Sequence, residues 1–164
     1  MVLLHELLTK HSQTGGWALA MAPGFFRKYS YTGALCALEE ANLYKNLLAV
    51  GGASAGAIVA GFLACGQLPS SLMPKLFSLE REDFWDVAMD PTIITGFLKG
   101  KKTLSTLEDR LTHGTFEECI MPMGVTAYDI FRCKTRVITS GKLSTAVFAS
   151  CCVPGMFQVC GDLP

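Results

Sequence analysis

The sequence predicts an α/β fold, a three-layer α/β/α sandwich around a mostly parallel sheet. Short apolar runs that suit buried strands alternate along the chain with longer stretches that suit helices. No internal repeat and no low-complexity segment interrupts this alternation. The chain has 164 residues, of which 50% are hydrophobic, and this is enough apolar material for the core of one domain.

The first half of the chain is expected to hold two strands and two helices. Residues 17–21 and 47–50 are apolar runs that end at glycine-containing turns, as buried strands do. Residues 33–43 place leucines at near-helical spacing with two glutamates facing away, which predicts an amphipathic helix. Residues 53–65 are small and apolar, and they predict a closely packed helix directly after the second strand.

The second half continues the alternation. Ser105-x-x-Glu108 has the pattern of a capping box and predicts a helix through Leu111, which the following His-Gly pair would end. Residues 123–127 and 135–139 are rich in β-branched and apolar residues and predict two further strands. Because strands and helices alternate, most neighbouring strands should be parallel.

Composition excludes some classes of function. Lys+Arg and Asp+Glu are both 14, so the net charge is zero and the basic excess that nucleic acid requires is missing. The seven cysteines contain no Cys-x-x-Cys spacing, and Cys151 and Cys152 are adjacent. This arrangement predicts reduced thiols in a reducing compartment and no metal-ligand cluster. No metal or other cofactor is therefore expected.

Residues 1–14 are interpreted as an N-terminal extension that precedes a domain over residues 15–164. The apolar run at the start is interrupted by His5 and Glu6, and no secretory signal with a basic start and a small-residue cleavage site is visible. We therefore expect an intracellular protein, either cytoplasmic or peripherally associated with a membrane.

Residues 52–56 read Gly-Ala-Ser-Ala-Gly, a G-x-S-x-G motif between a predicted strand and a predicted helix. A nucleophilic serine is exposed when it lies on a sharp strand-to-helix turn, and the flanking glycines avoid clashes between the strand and the helix. The helix that starts at Ala55 would direct its amides and positive dipole end toward a developing oxyanion. Ser54 is therefore the predicted nucleophile.

A membrane span over residues 47–66 is the alternative interpretation of the same stretch. No charged residue lies between Lys45 and Lys75, and about 20 apolar residues can cross a bilayer. The Gly52-x-x-x-Gly56 spacing also suits helix packing within membranes. Against a span, most of these residues are glycine or alanine, which contribute little to insertion.

A serine nucleophile needs a base, and the chain contains three histidines, His5, His11 and His113. Only His113 follows the serine in the order that α/β-hydrolases use, and it lies in a polar Leu-Thr-His-Gly-Thr turn. A carboxylate is the expected base, because a desolvated aspartate can accept the serine proton without a histidine.

The chain resembles the patatin-like phospholipase family over about residues 15–160. Residues 51–57, Gly-Gly-Ala-Ser-Ala-Gly-Ala, match the nucleophile motif of that family. Residues 33–40 are similar to the helix that follows its oxyanion loop, and residues 124–129 resemble its penultimate strand. Residues 146–157 resemble the segment that leads to its final strands.

The resemblance implies hydrolysis of acyl esters in phospholipids or neutral lipids, at a membrane or droplet surface. Ser54 would attack the carbonyl and form an acyl-enzyme that water then cleaves. The family needs neither a metal nor a cofactor for this step. The residues that the resemblance assigns to the oxyanion loop and the elbow are Gly24, Arg27, Gly52, Ala55 and Gly56.

The chain departs from the family pattern in the oxyanion loop. The family has a sequence close to Gly-Gly-Gly-x-Arg/Lys-Gly, whereas residues 23–28 here are Pro-Gly-Phe-Phe-Arg-Lys. Gly24 and Arg27 match, but Phe25 and Lys28 stand where glycines are expected. Either the loop uses different backbone angles, or a one-residue insertion shifts the alignment.

The second departure concerns the catalytic aspartate. The family places it in an Asp-Gly-Gly or Asp-Gly-Ala motif shortly after the segment matched by residues 154–157, and this sequence reaches Pro164 without that motif. Asp162 lies too early and lacks the glycine, and Asp129 matches a structural position. The dyad aspartate is therefore expected beyond the chain, with the C-terminal part of the domain missing. The alternative is a catalytically inactive lipid-binding or interaction protein.

Overall fold

The computed structural model describes residues 15–78, 81–89 and 96–158. The strands are β1 Trp17–Met21, β2 Leu47–Gly52, β3 Gly96–Leu98, β4 Met123–Asp129, β5 Lys134–Ile138 and β6 Gly155–Phe157. The α-helices are α1 Arg27–Glu40, α2 Ala55–Ala64, α3 Pro69–Phe77, α4 Lys101–Arg110 and α5 Leu143–Cys151.

The main sheet has the strand order β1-β2-β4-β5. β1, β2 and β4 run parallel, and β5 returns antiparallel along β4 after a short turn. β3 and β6 form a separate two-stranded parallel ladder. A mixed, mostly parallel sheet flanked by helices confirms the predicted α/β class.

Helix α2 packs against the main sheet and forms the centre of the core. Nine of its ten residues are buried, and Val59, Ala60 and Leu63 have no exposed surface. Its small side chains let the helix approach β2 closely, while α5 packs beside it on β4. This packing fixes the start of α2 at the carboxyl end of β2.

Helix α1 begins six residues before the start of the predicted helix at 33 and ends at Glu40. The first turn lacks apolar periodicity, so the pattern did not indicate it. Tertiary burial explains it, because Lys28 and Thr32 are 4% and 0% exposed and the Thr32 hydroxyl donates to the Lys28 carbonyl oxygen at 2.7 Å.

The predicted capping box at Ser105 is wrong. Helix α4 begins four residues earlier, at Lys101, so Ser105 lies inside it. The Asp86 carboxylate caps this helix by accepting hydrogen bonds from the amides of Gly100 at 2.9 Å and Lys102 at 3.0 Å. The cap comes from a residue distant in sequence, which a local pattern cannot reveal.

The alternative of a membrane span over residues 47–66 is also wrong. These residues divide into the strand β2 and the ten-residue helix α2. Within the ranges that the structure describes, no helix is both long enough and apolar enough to cross a bilayer.

Candidate active site

Ser54 occupies a sharp turn between β2 and α2. Its backbone angles are φ 52° and ψ −120°, a conformation that costs free energy for a residue with a side chain. Strain of this kind at a partly buried serine between a strand and a helix is typical of a nucleophile elbow.

Two glycines make the elbow possible. A Cβ at Gly52 would lie 2.3 Å from the carbonyl carbon of Gly56, and a Cβ at Gly56 would lie 2.3 Å from the Met21 carbonyl oxygen. Both distances are far inside van der Waals contact. The G-x-S-x-G spacing therefore has a direct steric cause, since strand, turn and helix are in backbone contact at both glycines.

The backbone amide of Ser54 is held by a second serine. It donates to Ser150 Oγ at 2.8 Å, and the Ser150 hydroxyl in turn donates to the Thr126 carbonyl oxygen at 2.6 Å. Ser150 lies on α5 and Thr126 on β4. One hydroxyl thus connects the elbow, the neighbouring strand and the last helix.

The thiol of Cys151 lies beside Ser54. Desolvation raises the pKa of that thiol to about 12, and the Ser54 hydroxyl partly opposes the shift. Such a thiol stays protonated at neutral pH, so it cannot act as the general base for Ser54. The six cysteines in the described ranges are free thiols.

The loop between β1 and α1 lies against the elbow, because the Ala53 amide donates to the Met21 carbonyl oxygen at 3.1 Å. Gly24 has φ +147°, which favours glycine, and the Arg27 amide donates back to its carbonyl at 2.9 Å. Phe25 and Lys28 have no positive φ. The loop therefore uses backbone angles that do not require glycine at these two positions.

The side chains of this loop point in different directions. Arg27 is exposed and folds back over Gly24, where an added Cβ would lie 2.7 Å from the Arg27 Cδ. Lys28 is buried, and its Nζ lies 5.0–5.6 Å from the ring centroids of Phe25, Tyr29 and Phe84. These distances are within the range of cation–π attraction.

The side chains of His113 and Asp129 contact other residues and not Ser54. Thr112, which contacts His113, donates to the Cys65 carbonyl oxygen just past the end of α2. A ten-residue helix is about 15 Å long, so His113 lies at the far end of α2 from Ser54. Asp129 accepts hydrogen bonds within its own turn and pairs with Arg132 at 3.1 Å, and these contacts hold its pKa below its usual value.

No carboxylate or histidine contacts Ser54 among the described residues, where its hydrogen bonds are to backbone amides and to Ser150. Asp162 lies outside the described residues. Within the described ranges, no group of three or more acidic, cysteine or histidine side chains could hold a metal ion.

The structure places Gly52, Ser54 and Gly56 in one turn and Gly24 in the loop that follows β1, whereas the sequence analysis did not identify Ser150. Ser150 belongs to the 146–157 segment, which was singled out only as a resemblance. Its contact with Ser54 joins residues 96 positions apart. No local signal indicates such a pairing.

Comparison with known proteins gives a family match over most of the chain. The model of a family described as "Patatin-like phospholipase" matches residues 19–160. Two proteins named as uncharacterized NTE family proteins, from Mycobacterium bovis and Mycobacterium tuberculosis, are each 29% identical over 140 residues. That match covers 85% of this chain and 38% of each relative, so the chain spans well under half of their length.

Solved structures share the fold. VipD from Legionella pneumophila is similar with a TM-score of 0.64 and 17% identity, over 87% of this chain and 43% of that one. Full-length ExoU from Pseudomonas aeruginosa, solved in complex with SpcU, is similar with a TM-score of 0.58 and 14% identity. The match covers 84% of this chain and 38% of ExoU.

Proposed function

Because the chain belongs to the patatin-like phospholipase family, whose members are lipid hydrolases that typically use a serine nucleophile, we propose that it carries the nucleophile of a lipid acyl hydrolase. The observation that supports this most strongly is the strained turn at Ser54, which β2, α2 and Ser150 hold at the carboxyl edge of the sheet. Ser54 is the proposed nucleophile.

In the proposed reaction, Ser54 Oγ attacks the carbonyl carbon of a lipid ester and loses its proton to a base. The alcohol portion of the lipid leaves with a proton, and an acyl-enzyme remains on Ser54. Water then cleaves the acyl-enzyme, releasing the fatty acid and restoring the hydroxyl. The overall result is hydrolysis of one ester bond in a phospholipid or a neutral lipid.

The oxyanion would be stabilised at the start of α2 and by the neighbouring loop. The Ala55 amide opens α2 and has no acceptor within the helix, because the first amides of a helix lack one. The positive end of the helix dipole adds to its effect. The loop that contains Gly24 and Arg27 lies beside the elbow and is the second proposed source of donors.

The base is proposed to be the family's aspartate in an Asp-Gly-Gly or Asp-Gly-Ala motif. This motif does not occur within the sequence, and the carboxylate of Asp129 is occupied in its own turn. We therefore place the aspartate in sequence beyond Pro164, in a longer protein that contains this chain. The chain alone would then lack turnover, because a serine without its base is a weak nucleophile.

The test uses the full protein that contains this chain and measures release of fatty acid from phospholipid and from triacylglycerol. Ser54→Ala should abolish release without lowering the thermal unfolding midpoint, since alanine fits the same turn. Ser105→Ala is the matched control, because Ser105 is exposed on α4 and should not matter. Release that persists in Ser54→Ala would contradict the proposal.

The alternative function is an inactive patatin-like protein that binds lipid or a partner. Two observations favour it: Phe25 and Lys28 replace expected glycines, and a protonated Cys151 thiol lies beside the proposed nucleophile. The same experiment separates the two functions. An inactive protein would release no fatty acid with or without Ser54, yet would still retain lipid in a binding assay.

A further inference from the structure

A connected group of aromatic rings lies on the loop before α1 and the end of α3. Phe25 and Phe26 pack edge to face with centroids 5.2 Å apart, and Tyr29 packs on Phe77 at 4.7 Å. Lys28 Nζ joins the two pairs, at 5.3 Å from the Phe25 centroid and 5.0 Å from the Tyr29 centroid. We call Phe25, Phe26, Tyr29 and Phe77 the aromatic patch.

The phenylalanines of this patch are largely exposed. The exposed fractions are 65% for Phe25, 74% for Phe26 and 63% for Phe77. A single exposed ring is ordinary in a folded protein, but a contiguous group of exposed rings is typical of an interaction surface. Lys28 is 4% exposed and contacts the rings from the buried side of the patch, so packing within the fold holds the rings in place.

The loop that carries Phe25 and Phe26 starts next to the elbow that carries Ser54. It directly follows Met21, whose carbonyl oxygen accepts the Ala53 amide at 3.1 Å. We therefore infer that a surface bound at Phe25 and Phe26 meets the protein on the side where Ser54 is presented. This position suits a lipid surface, because the lipids that bind the patch would then also be the substrate.

The loop before α1 and the first turn of that helix carry charge of one sign. Residues 22–32, which supply Phe25, Phe26 and Tyr29, contain Arg27 and Lys28 and no aspartate or glutamate. The nearest acidic side chains have partners, because Glu39 accepts a hydrogen bond from the Ser70 amide at 2.9 Å and Asp83 pairs with Arg110 at 4.0 Å. Aromatic rings beside an exposed arginine complement an anionic lipid surface.

We propose that the aromatic patch binds the surface of an anionic phospholipid bilayer and orients Ser54 toward it. This inference rests on the proposed function, because it gives the hydrolase its site of contact with the substrate surface. Phe25, Phe26 and Phe77 enter the headgroup region, while Arg27 contacts the anionic headgroups. Buried apolar area and charge attraction add together in binding of this type.

The binding experiment uses the full protein with Ser54→Ala, so that hydrolysis does not change the lipid. Its partition is measured by sedimentation with vesicles of equal parts phosphatidylcholine and phosphatidylserine. Phe26→Ser and Phe77→Ser should each weaken partition about tenfold, the effect of withdrawing a partly buried ring from lipid. Phe131→Ser is the matched control, since Phe131 is 87% exposed outside the patch and should leave partition unchanged.

A second variant reports directly on insertion. Phe77→Trp should retain binding, and its added tryptophan fluorescence should shift to shorter wavelength with the anionic vesicles. Vesicles of phosphatidylcholine alone should bind more weakly. Patch variants that partition as well as Phe131→Ser, an unshifted tryptophan, or preference for a triacylglycerol emulsion over the vesicles would overturn the proposal.

Turnover of a soluble short-chain ester separates this inference from the proposed function. With Ser54 intact, Phe77→Ser should keep its activity on that ester and lose activity on anionic vesicles. If the ester is not hydrolysed but the patch variants still bind vesicles more weakly, the proposed lipid-binding surface is supported and the hydrolase proposal is contradicted. If hydrolysis depends on Ser54 and every patch variant binds vesicles as well as the unchanged protein, the lipid-binding surface is contradicted and the hydrolase proposal is not.

Discussion

The elbow around Ser54 and the loop at residues 22–26 meet at one edge of the sheet and are built in opposite ways. In the elbow, backbone contacts at Gly52 and Gly56 leave no room for a side chain, and Ser150 holds the strained residue. In the loop, only Gly24 needs a positive φ, and the next two residues expose phenylalanine rings.

This difference separates two kinds of constraint on a sequence. The elbow is determined by packing within the chain, so its residues must satisfy sterics whether or not a substrate is present. Phe25 and Phe26 make few contacts within the chain. We therefore attribute these two residues to contacts with a binding partner outside the chain. Variants at the elbow glycines and at Ser150 should therefore affect stability, and variants at Phe25 and Phe26 should affect binding.

The largest expected effect is that of Gly56→Ala. The new Cβ would lie 2.3 Å from the Met21 carbonyl oxygen, which is backbone and cannot move aside without separating α2 from β1. We expect the free energy of unfolding to fall by about 3 kcal/mol or more, measured by denaturant titration.

The matched control is Gly33→Ala, in the middle of α1, where an added Cβ meets nothing within 4 Å. It should raise the free energy of unfolding by about 0.5–1 kcal/mol, because alanine favours helix. If the two variants change stability equally, the elbow is not under the steric constraint described above.

Ser150→Ala should have the next largest effect. It removes the group that bridges the Ser54 amide and the Thr126 carbonyl, leaving both partly buried groups without this partner. We expect a loss of about 2 kcal/mol in the free energy of unfolding and a fall in kcat for lipid hydrolysis by the full protein. Ser150→Ala with unchanged stability and turnover would show that the bridge has no role in holding the elbow.

The pH dependence of stability tests the surroundings of the nucleophile. The pKa of the Cys151 thiol is raised from 9.0 to about 12 in the folded protein, so the folded state holds this proton more tightly than the unfolded state. Its contribution to stability is present below pH 9 and is lost as the pH rises from about 9 to 12, by at most about 1.4 kcal/mol per pH unit.

Cys151→Ala should flatten this decline, while Cys133→Ala should not, because Cys133 is exposed in the turn after β4. Stability is measured by denaturant titration at several alkaline pH values. An identical decline in the two variants would mean that the thiol beside Ser54 is not desolvated.

In the loop, Gly24→Ala should have the smallest effect of these variants on stability. The φ of +147° disfavours alanine, but the atom that it would contact is the Arg27 Cδ, on a side chain that can move. We expect a loss of about 1 kcal/mol in the free energy of unfolding. A loss as large as that of Gly56→Ala would remove the distinction between loop and elbow.

The parts of the site that could be predicted from the sequence are those with local causes. The elbow needs five consecutive residues between a strand and a helix. The pattern of residues 47–65 contains all three parts, so the elbow could be predicted from it. Ser150 could not be predicted as its partner, because only the folding of β4 and α5 brings the two serines together. The start of α4 was missed for the same reason, since its cap, Asp86, lies 15 residues before Lys101.

The fold shows the same division. The alternation of strands and helices predicted a mostly parallel sheet, which β1, β2 and β4 form, but it did not predict the order of the strands. The pairing of β3 with β6 joins two three-residue strands far apart in sequence, and neither has a periodic pattern. Lys28 was treated as a departure from a glycine position, whereas its burial depends on Phe84 from another segment.

The most direct test of the central claim is labelling of Ser54 by a fluorophosphonate in the full protein. This reagent forms a bond to a serine oxygen only when the serine is activated, and peptide mass spectrometry then locates the adduct. We predict a single adduct, on the peptide that contains Ser54, and no adduct when the protein is unfolded by heat before the reagent is added. Labelling at another serine, or no labelling of folded protein that binds lipid, would contradict the assignment of Ser54 as the nucleophile.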